Sequence, residues 1–159
     1  MYFELITIPC LSDNYAFILY NARNRSALLV DAPEAAPINE TLTKNNLNLE
    51  KIFLTHHHAD HINGLDGILD KHNALTIGAQ ADIHRLPKLD KYVRAGDEFS
   101  FQGQTGKIFD VSGHTIGHIA LYIPAQNILF SGDSLMALGC GRLFEGSAAQ
   151  MWNSLSRLL

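Results

Sequence analysis

The chain has little cysteine: Cys10 and Cys140 are the only two in 159 residues, and they stand far apart. That excludes a disulfide scaffold, and both thiols are expected to be reduced. No uninterrupted apolar run reaches the roughly 20 residues of a membrane span, so no membrane partner is expected. Positive charge is not in excess either. The formal net charge is -4, which offers no electrostatic footprint for nucleic acid or anionic lipid. The opening Met1-Tyr2-Phe3-Glu4-Leu5 lacks the basic and apolar stretches of a secretion signal, and a cytoplasmic location is the expectation. What is present is ordinary for a soluble domain with a real core: 47% hydrophobic and 18% charged residues.

Short apolar runs at Leu5–Ile8, Ala16–Tyr20 and Ala27–Val30, parted by polar turns, read as a β-meander that Asp31-Ala32-Pro33 closes. Ile38, Leu42 and Leu49 place an amphipathic helix over Pro37–Leu49, after which Lys51–Thr55 returns as a buried strand. A helix is expected over Asn63–Lys71 with Asn63 as its N-cap, then a strand at Ala74–Gly78 and a weak helix at Gln80–Arg85 that Pro87 ends. Phe99–Phe101, Lys107–Val111, Ile119–Ile123 and Ile128–Ser131 form a second set of strands. Ser147–Leu159 reads as a final helix with Ser147 able to cap it. No repeat or linker divides the chain.

Histidine is the residue in surplus. There are eight, and four lie within Thr55-His56-His57-His58-Ala59-Asp60-His61. His56, His58 and Asp60 fall at i, i+2 and i+4, one face of an extended segment, at a strand end where a rigid support can hold ligands. A turn allowed by Asn63-Gly64 would bring His61 to the same cavity. His57 points the other way and is given a supporting role. A second strand end carries Ser112-Gly113-His114-Thr115-Ile116-Gly117-His118, with His114 as a further ligand and His118 as a structural residue. A third carries Ser131-Gly132-Asp133-Ser134, whose Asp133 carboxylate has two oxygens to offer. Asp31, also at a strand end, suits a hydrogen bond to a ligating histidine. Imidazole and carboxylate together suit zinc, iron or manganese. Cys140, flanked by glycines with no base near it in sequence, makes a poor nucleophile.

THHHADH, GHTIGH and SGDS, in this order, resemble the metallo-β-lactamase superfamily. Leu11-Ser12-Asp13-Asn14-Tyr15, the Ile-Asn-Gly after the histidine cluster, and Gly139-Cys140-Gly141-Arg142-Leu143-Phe144-Glu145-Gly146 resemble its glyoxalase II (hydroxyacylglutathione hydrolase) branch. The resemblance implies an α+β fold, the metallo-β-lactamase-type four-layer αββα sandwich, over residues 1–159. It implies two zinc sites, with iron or manganese as substitutes. His56, His58 and His114 would hold the first metal, Asp60 and His61 the second, and Asp133 would bridge. Arg142 and Phe144 would bind the glutathione moiety.

The activity so implied is hydrolysis of S-acylglutathione thioesters such as S-D-lactoylglutathione to glutathione and D-lactate by a metal-bound hydroxide, with Asp60 orienting the attacking oxygen. Set against the branch, the chain resembles its N-terminal catalytic part. The fold is expected to be incomplete at the C-terminal end, without the branch's last metal-binding histidine and helical C-terminal domain. An open sheet edge could then pair two copies. Two other readings follow from that shortening: a mononuclear iron persulfide dioxygenase, and an inactive metal-binding fragment.

Overall fold

The computed structural model describes residues 2–158; Leu159, the end of the expected last helix, lies outside them. Contacts divide the chain into two compact units. One comprises Met1–Leu54, His58–Ile77 and Leu89–Lys91, the other Thr55–His57, Gly78–Lys88 and Tyr92–Leu159.

The first unit is built on a sheet ordered β1-β2-β3-β4-β5-β6. The expected meander is there: β1 (Phe3–Cys10), β2 (Asn14–Asn21) and β3 (Ser26–Val30) pair antiparallel in sequence. Beyond β3 the pairing becomes parallel, through β4 (Asn48–Phe53) to β5 (Leu75–Ala79), with β6 (Lys91–Val93) at the edge. Parallel strands lie in the middle of the sheet and read as continuous apolar runs; all five residues of β3 are buried. Ile18, Leu28, Ile52 and Leu54 are wholly excluded from solvent, each worth about 1.5–3 kcal/mol of burial.

Helix α1 (Ala35–Lys44) makes the crossover from β3 to β4, and its buried Ile38 and Leu42 are the apolar stripe foreseen. It stops five residues before the expected end at Leu49. Asn46 takes a left-handed φ of 50°, its N–H donates to the Thr43 carbonyl and that of Leu47 to the Leu42 carbonyl. These two bonds are the Schellman closure of a helix, and they release Leu49 into β4. The β4–β5 crossover holds two short helices, α2 (Ala59–Ile62) and α3 (Leu65–Leu69). Asn63 does not cap α3 as expected. It terminates α2, and Gly64 precedes α3 with no side-chain cap.

The second unit carries the four-stranded antiparallel sheet β10-β9-β8-β7: β7 (Glu98–Phe101), β8 (Gln104–Asp110), β9 (Ile119–Ile123) and β10 (Ile128–Phe130). All four coincide with expected strands to within three residues. The expected helix at Gln80–Arg85 is only a single 3-10 turn, Gln80–Asp82. A two-stranded hairpin, β11 (Leu135–Met136) and β12 (Gly139–Cys140), follows β10. Helix α4 (Ala148–Ser156) starts at Ser147 with a full capping box: the Ser147 hydroxyl accepts from the Gln150 N–H, and Gln150 reaches back to the Ser147 N–H. Both cysteines are free thiols, Cys10 buried and Cys140 exposed. No helix among the described residues is long and apolar enough to cross a membrane.

Candidate metal centre

In the first unit, the chain leaves β4 and turns helical earlier than the i, i+2, i+4 reading assumed. His58 is still extended (φ -61°, ψ 142°), but Ala59 begins α2, so Asp60 and His61 stand on a helical turn. The three side chains His56, His58 and Asp60 therefore do not share one extended face. His61 is buried, and its Nδ1 lies 2.9 Å from Oδ2 of Asp31. Asp31 follows β3 with a φ of 60°, a conformation Asp tolerates better than most residues. Its N–H donates to the Phe53 carbonyl at 2.9 Å, and the Ala32 N–H donates to the His61 carbonyl at 2.8 Å. The carboxylate foreseen as a histidine partner is thus pinned by the ends of two parallel strands.

Asn14 was not singled out, yet in this unit it reaches both Asp60 and His61. Its side-chain amide donates to the Asp60 carbonyl oxygen and to Asp60 Oδ2, both at 2.9 Å, and stands 3.4 Å from His61 Nε2. Its only sequence signal was its place in the Leu11–Tyr15 segment. Asp60 itself is half exposed, with 49% of its side chain accessible.

In the second unit, His114 sits in the β8–β9 connection and is buried. Its Nδ1 lies 2.7 Å from the Arg142 carbonyl oxygen and its Nε2 3.4 Å from Asp133 Oδ2. His56 packs edge-on to His114, with ring centres 5.1 Å apart, and stacks on His118 at 4.5 Å. His118 has the structural role expected of it: its Nε2 accepts the Asp133 backbone N–H at 3.1 Å. Gly132 makes the turn into Asp133 at a φ of 50°. A Cβ there would come within 2.6 Å of both His118 Cε1 and Thr55 Oγ1. The exposed Phe144 ring lies 5.3 Å from that of His114, and the Arg142 guanidinium 5.6 Å from Phe144.

His57, given only a supporting role from sequence, has definite partners. Its Nδ1 is 2.9 Å from Oδ2 of the fully buried Asp82. Arg85 holds both Asp82 and Glu145 through its guanidinium. Partial burial alone would push the Glu145 carboxyl up. Arg85 and the Ile116 N–H outweigh that and hold it below its ordinary value.

A ligating imidazole needs one nitrogen presented and the other held. Asp31 holds Nδ1 of His61, and the Arg142 carbonyl holds Nδ1 of His114, so in both rings Nε2 is the nitrogen presented. Candidate ligand atoms of His56 and His114 lie within 4.8 Å of each other, as do those of His56 and Asp133. This donor set, imidazole nitrogen with carboxylate oxygen, fits a divalent metal.

A model of the metallo-beta-lactamase superfamily matches residues 14–159. The chain belongs to that superfamily. A protein of Ruegeria pomeroyi named hydroxyacylglutathione hydrolase is 53% identical over 155 residues, covering 98% of this chain and 61% of the relative. The chain therefore spans 61% of the length of that curated relative. Among solved structures, the BLEG-1 B3 metallo-beta-lactamase matches with a TM-score of 0.89 at 23% identity, over 96% of this chain and 84% of that one. ETHE1 from Myxococcus xanthus matches with a TM-score of 0.80 at 27% identity, over 100% of this chain and 70% of that one. The fold is the metallo-β-lactamase fold, few in helices and dominated by sheet, as the sequence motifs implied.

Proposed function

We propose that the chain, as one catalytic domain over residues 1–159, hydrolyses S-acylglutathione thioesters such as S-D-lactoylglutathione to glutathione and the hydroxy acid. The metal ligands in this reading are His56, His58, Asp60, His61, His114 and Asp133. The metal, zinc in this reading, supplies Lewis acidity and an activated water when bound.

The chain's own residues do the rest. Asp60, half exposed and fixed by Asn14, orients the attacking water. Asp31 and the Arg142 carbonyl keep His61 and His114 in the tautomer that presents Nε2. Arg142 offers a planar fork of donors to a glutathione carboxylate, and Phe144 offers an apolar wall beside it. A thiolate leaves readily, so no strong general acid is needed.

The observation that carries the reading is His114, whose one nitrogen is held by the backbone of Arg142 while the other faces Asp133. It couples a metal ligand directly to the residue meant for substrate. The 53% identity to a hydroxyacylglutathione hydrolase over nearly the whole chain supports the same substrate class. A cytoplasmic setting and a part in methylglyoxal detoxification go with that substrate. The edge strands β7 and β10 of the four-stranded sheet support pairing with a second copy, which sizing chromatography checks.

The test is thiol release from S-D-lactoylglutathione by the zinc-loaded chain. Turnover that vanishes on chelation and returns with zinc is the expected result. A metal-replete protein that leaves the thioester intact at high protein concentration overturns the reading for this chain and favours a non-catalytic metal-binding fragment. Iron loading with oxygen consumption on glutathione persulfide would instead favour the dioxygenase.

A further inference from the structure

One cluster of ionisable side chains in the second unit lies outside the ligand set: His57, Asp82, Arg85 and Glu145. Asp82 is its centre, a carboxylate with no solvent exposure. Its Oδ2 meets His57 Nδ1 at 2.9 Å, and its Oδ1 accepts from Arg85 Nε at 3.1 Å and from a second Arg85 nitrogen. The remaining arm of Arg85 donates to Glu145 Oε1. Glu145 Oε2 accepts the Ile116 N–H at 2.7 Å, and its Oε1 stands 3.7 Å from His57 Nε2. The backbone is prepared for this arrangement. A Cβ on Gly117 would land on the Asp82 carboxylate, so only glycine lets Asp82 enter.

A surface ion pair with these partners would matter little. This one is anchored on a buried carboxylate and uses the guanidinium as a fork with two acceptors, so its geometry is fixed and a lysine could not replace Arg85. The members also sit where positioning counts. His57 stands between His56 and His58. Ile116 follows His114 by two residues, and Glu145 follows Phe144 directly. The segment around Glu145 is laced to the His114 loop by the Phe144 N–H on the His114 carbonyl at 3.2 Å and the Gly146 N–H on the Gly113 carbonyl at 3.0 Å.

We propose that Glu145 is a positioning residue for substrate. Tied through Arg85 to the buried Asp82 and directly to Ile116, it fixes the segment bearing Arg142 and Phe144 against the His114 loop. It thereby sets recognition of the glutathione moiety and leaves the hydrolytic chemistry alone. The kinetic part of this proposal rests on the hydrolase reading above.

The test uses the zinc-loaded full chain with two substrates, S-D-lactoylglutathione and a lactoyl thioester of N-acetylcysteamine, which lacks the glutathione peptide. Glu145→Ala is expected to raise KM for the glutathione thioester about tenfold with kcat within about twofold. Zinc stoichiometry and KM for the small thioester stay as in the wild type. Glu145→Gln, which keeps one acceptor oxygen and so one of the two bonds, to Ile116 or to Arg85, recovers only part of the loss.

Equal losses on both substrates, loss of zinc, or an unchanged KM would overturn the proposal. If the wild type turns over neither thioester, the hydrolase reading fails separately, and amide exchange then decides the positioning role. Glu145→Ala is expected to speed exchange at the Ile116, Phe144 and Gly146 N–H groups by about tenfold or more with β8 and β9 unchanged. Identical exchange in wild type and variant would overturn it.

Discussion

The backbone N–H of Asp133 donates to Nε2 of His118 at 3.1 Å, and the His118 ring lies flat against that of His56, 4.5 Å away. His118 is therefore a mount for the site. It steadies one of the proposed ligands, Asp133, through a hydrogen bond and another, His56, through stacking. His118→Leu keeps bulk but leaves the Asp133 N–H without its acceptor, at a cost of about 1–3 kcal/mol. Zinc affinity is expected to fall about 10–100-fold, as for other residues that orient a ligand. Denaturant melts and zinc titration check the two effects, and His118→Asn, which can still accept, should lose less.

Asp31 acts on His61 in the same way from the first unit. Asp31→Asn keeps the left-handed backbone at little cost but weakens the bond to His61 Nδ1 by removing the charge. Zinc affinity should fall about tenfold with stability nearly unchanged. Asp31→Ala should lose both, since alanine at a φ of 60° adds about 1–2 kcal/mol of strain. Paired melts and zinc titrations separate the two variants.

Gly132→Ala places a methyl group against His118 and Thr55 at a φ of 50°. About 1–2 kcal/mol of backbone strain adds to about 1–3 kcal/mol of overpacking. A large fall in the denaturation midpoint is expected, together with weaker zinc binding because the turn carries Asp133.

His72, three residues after α3 and outside the proposed ligand set, sets an acid limit on stability. Burial, and next the neighbouring Lys71, push its imidazole below its ordinary value. The unfolded chain then binds a proton that the folded chain does not. The sign follows: stability falls as pH drops below about 6.5, the ordinary histidine value, and levels off below the folded value. His72→Gln should flatten that limb in urea melts run between pH 5 and 7 and leave the alkaline side unchanged.

The strands and the motifs of the superfamily were legible in sequence because apolar runs and clustered histidines are local signals. What was missed depended on backbone closure or on distant partners. Leu49 falls seven residues after Leu42, in phase with the helical stripe, so periodicity carried α1 past its true end; the left-handed turn at Asn46 has no apolar signature. The extended reading of His56–Asp60 failed because His58 is the last extended residue and Ala59-Asp60-His61 offers no apolar pattern to announce a helix. An acidic residue in that first turn was the available sign. Strands β6, β11 and β12, of two or three residues each, are too short to show alternation. Asp82 and Arg85 fall within the weak helix expected over Gln80–Arg85 and have no local signal of their own. Their partners, His57 and Glu145, lie 25 and 60 residues away along the chain.

The most direct test of the metal centre is anomalous scattering at the zinc edge from crystals of the zinc-loaded chain. The expected result is zinc bonded to Nε2 of His114 and to His56, with Asp133 Oδ2 in reach. Zinc bound only at outlying histidines such as His72 or His84, or absent from the crystal at saturating concentration, would contradict it.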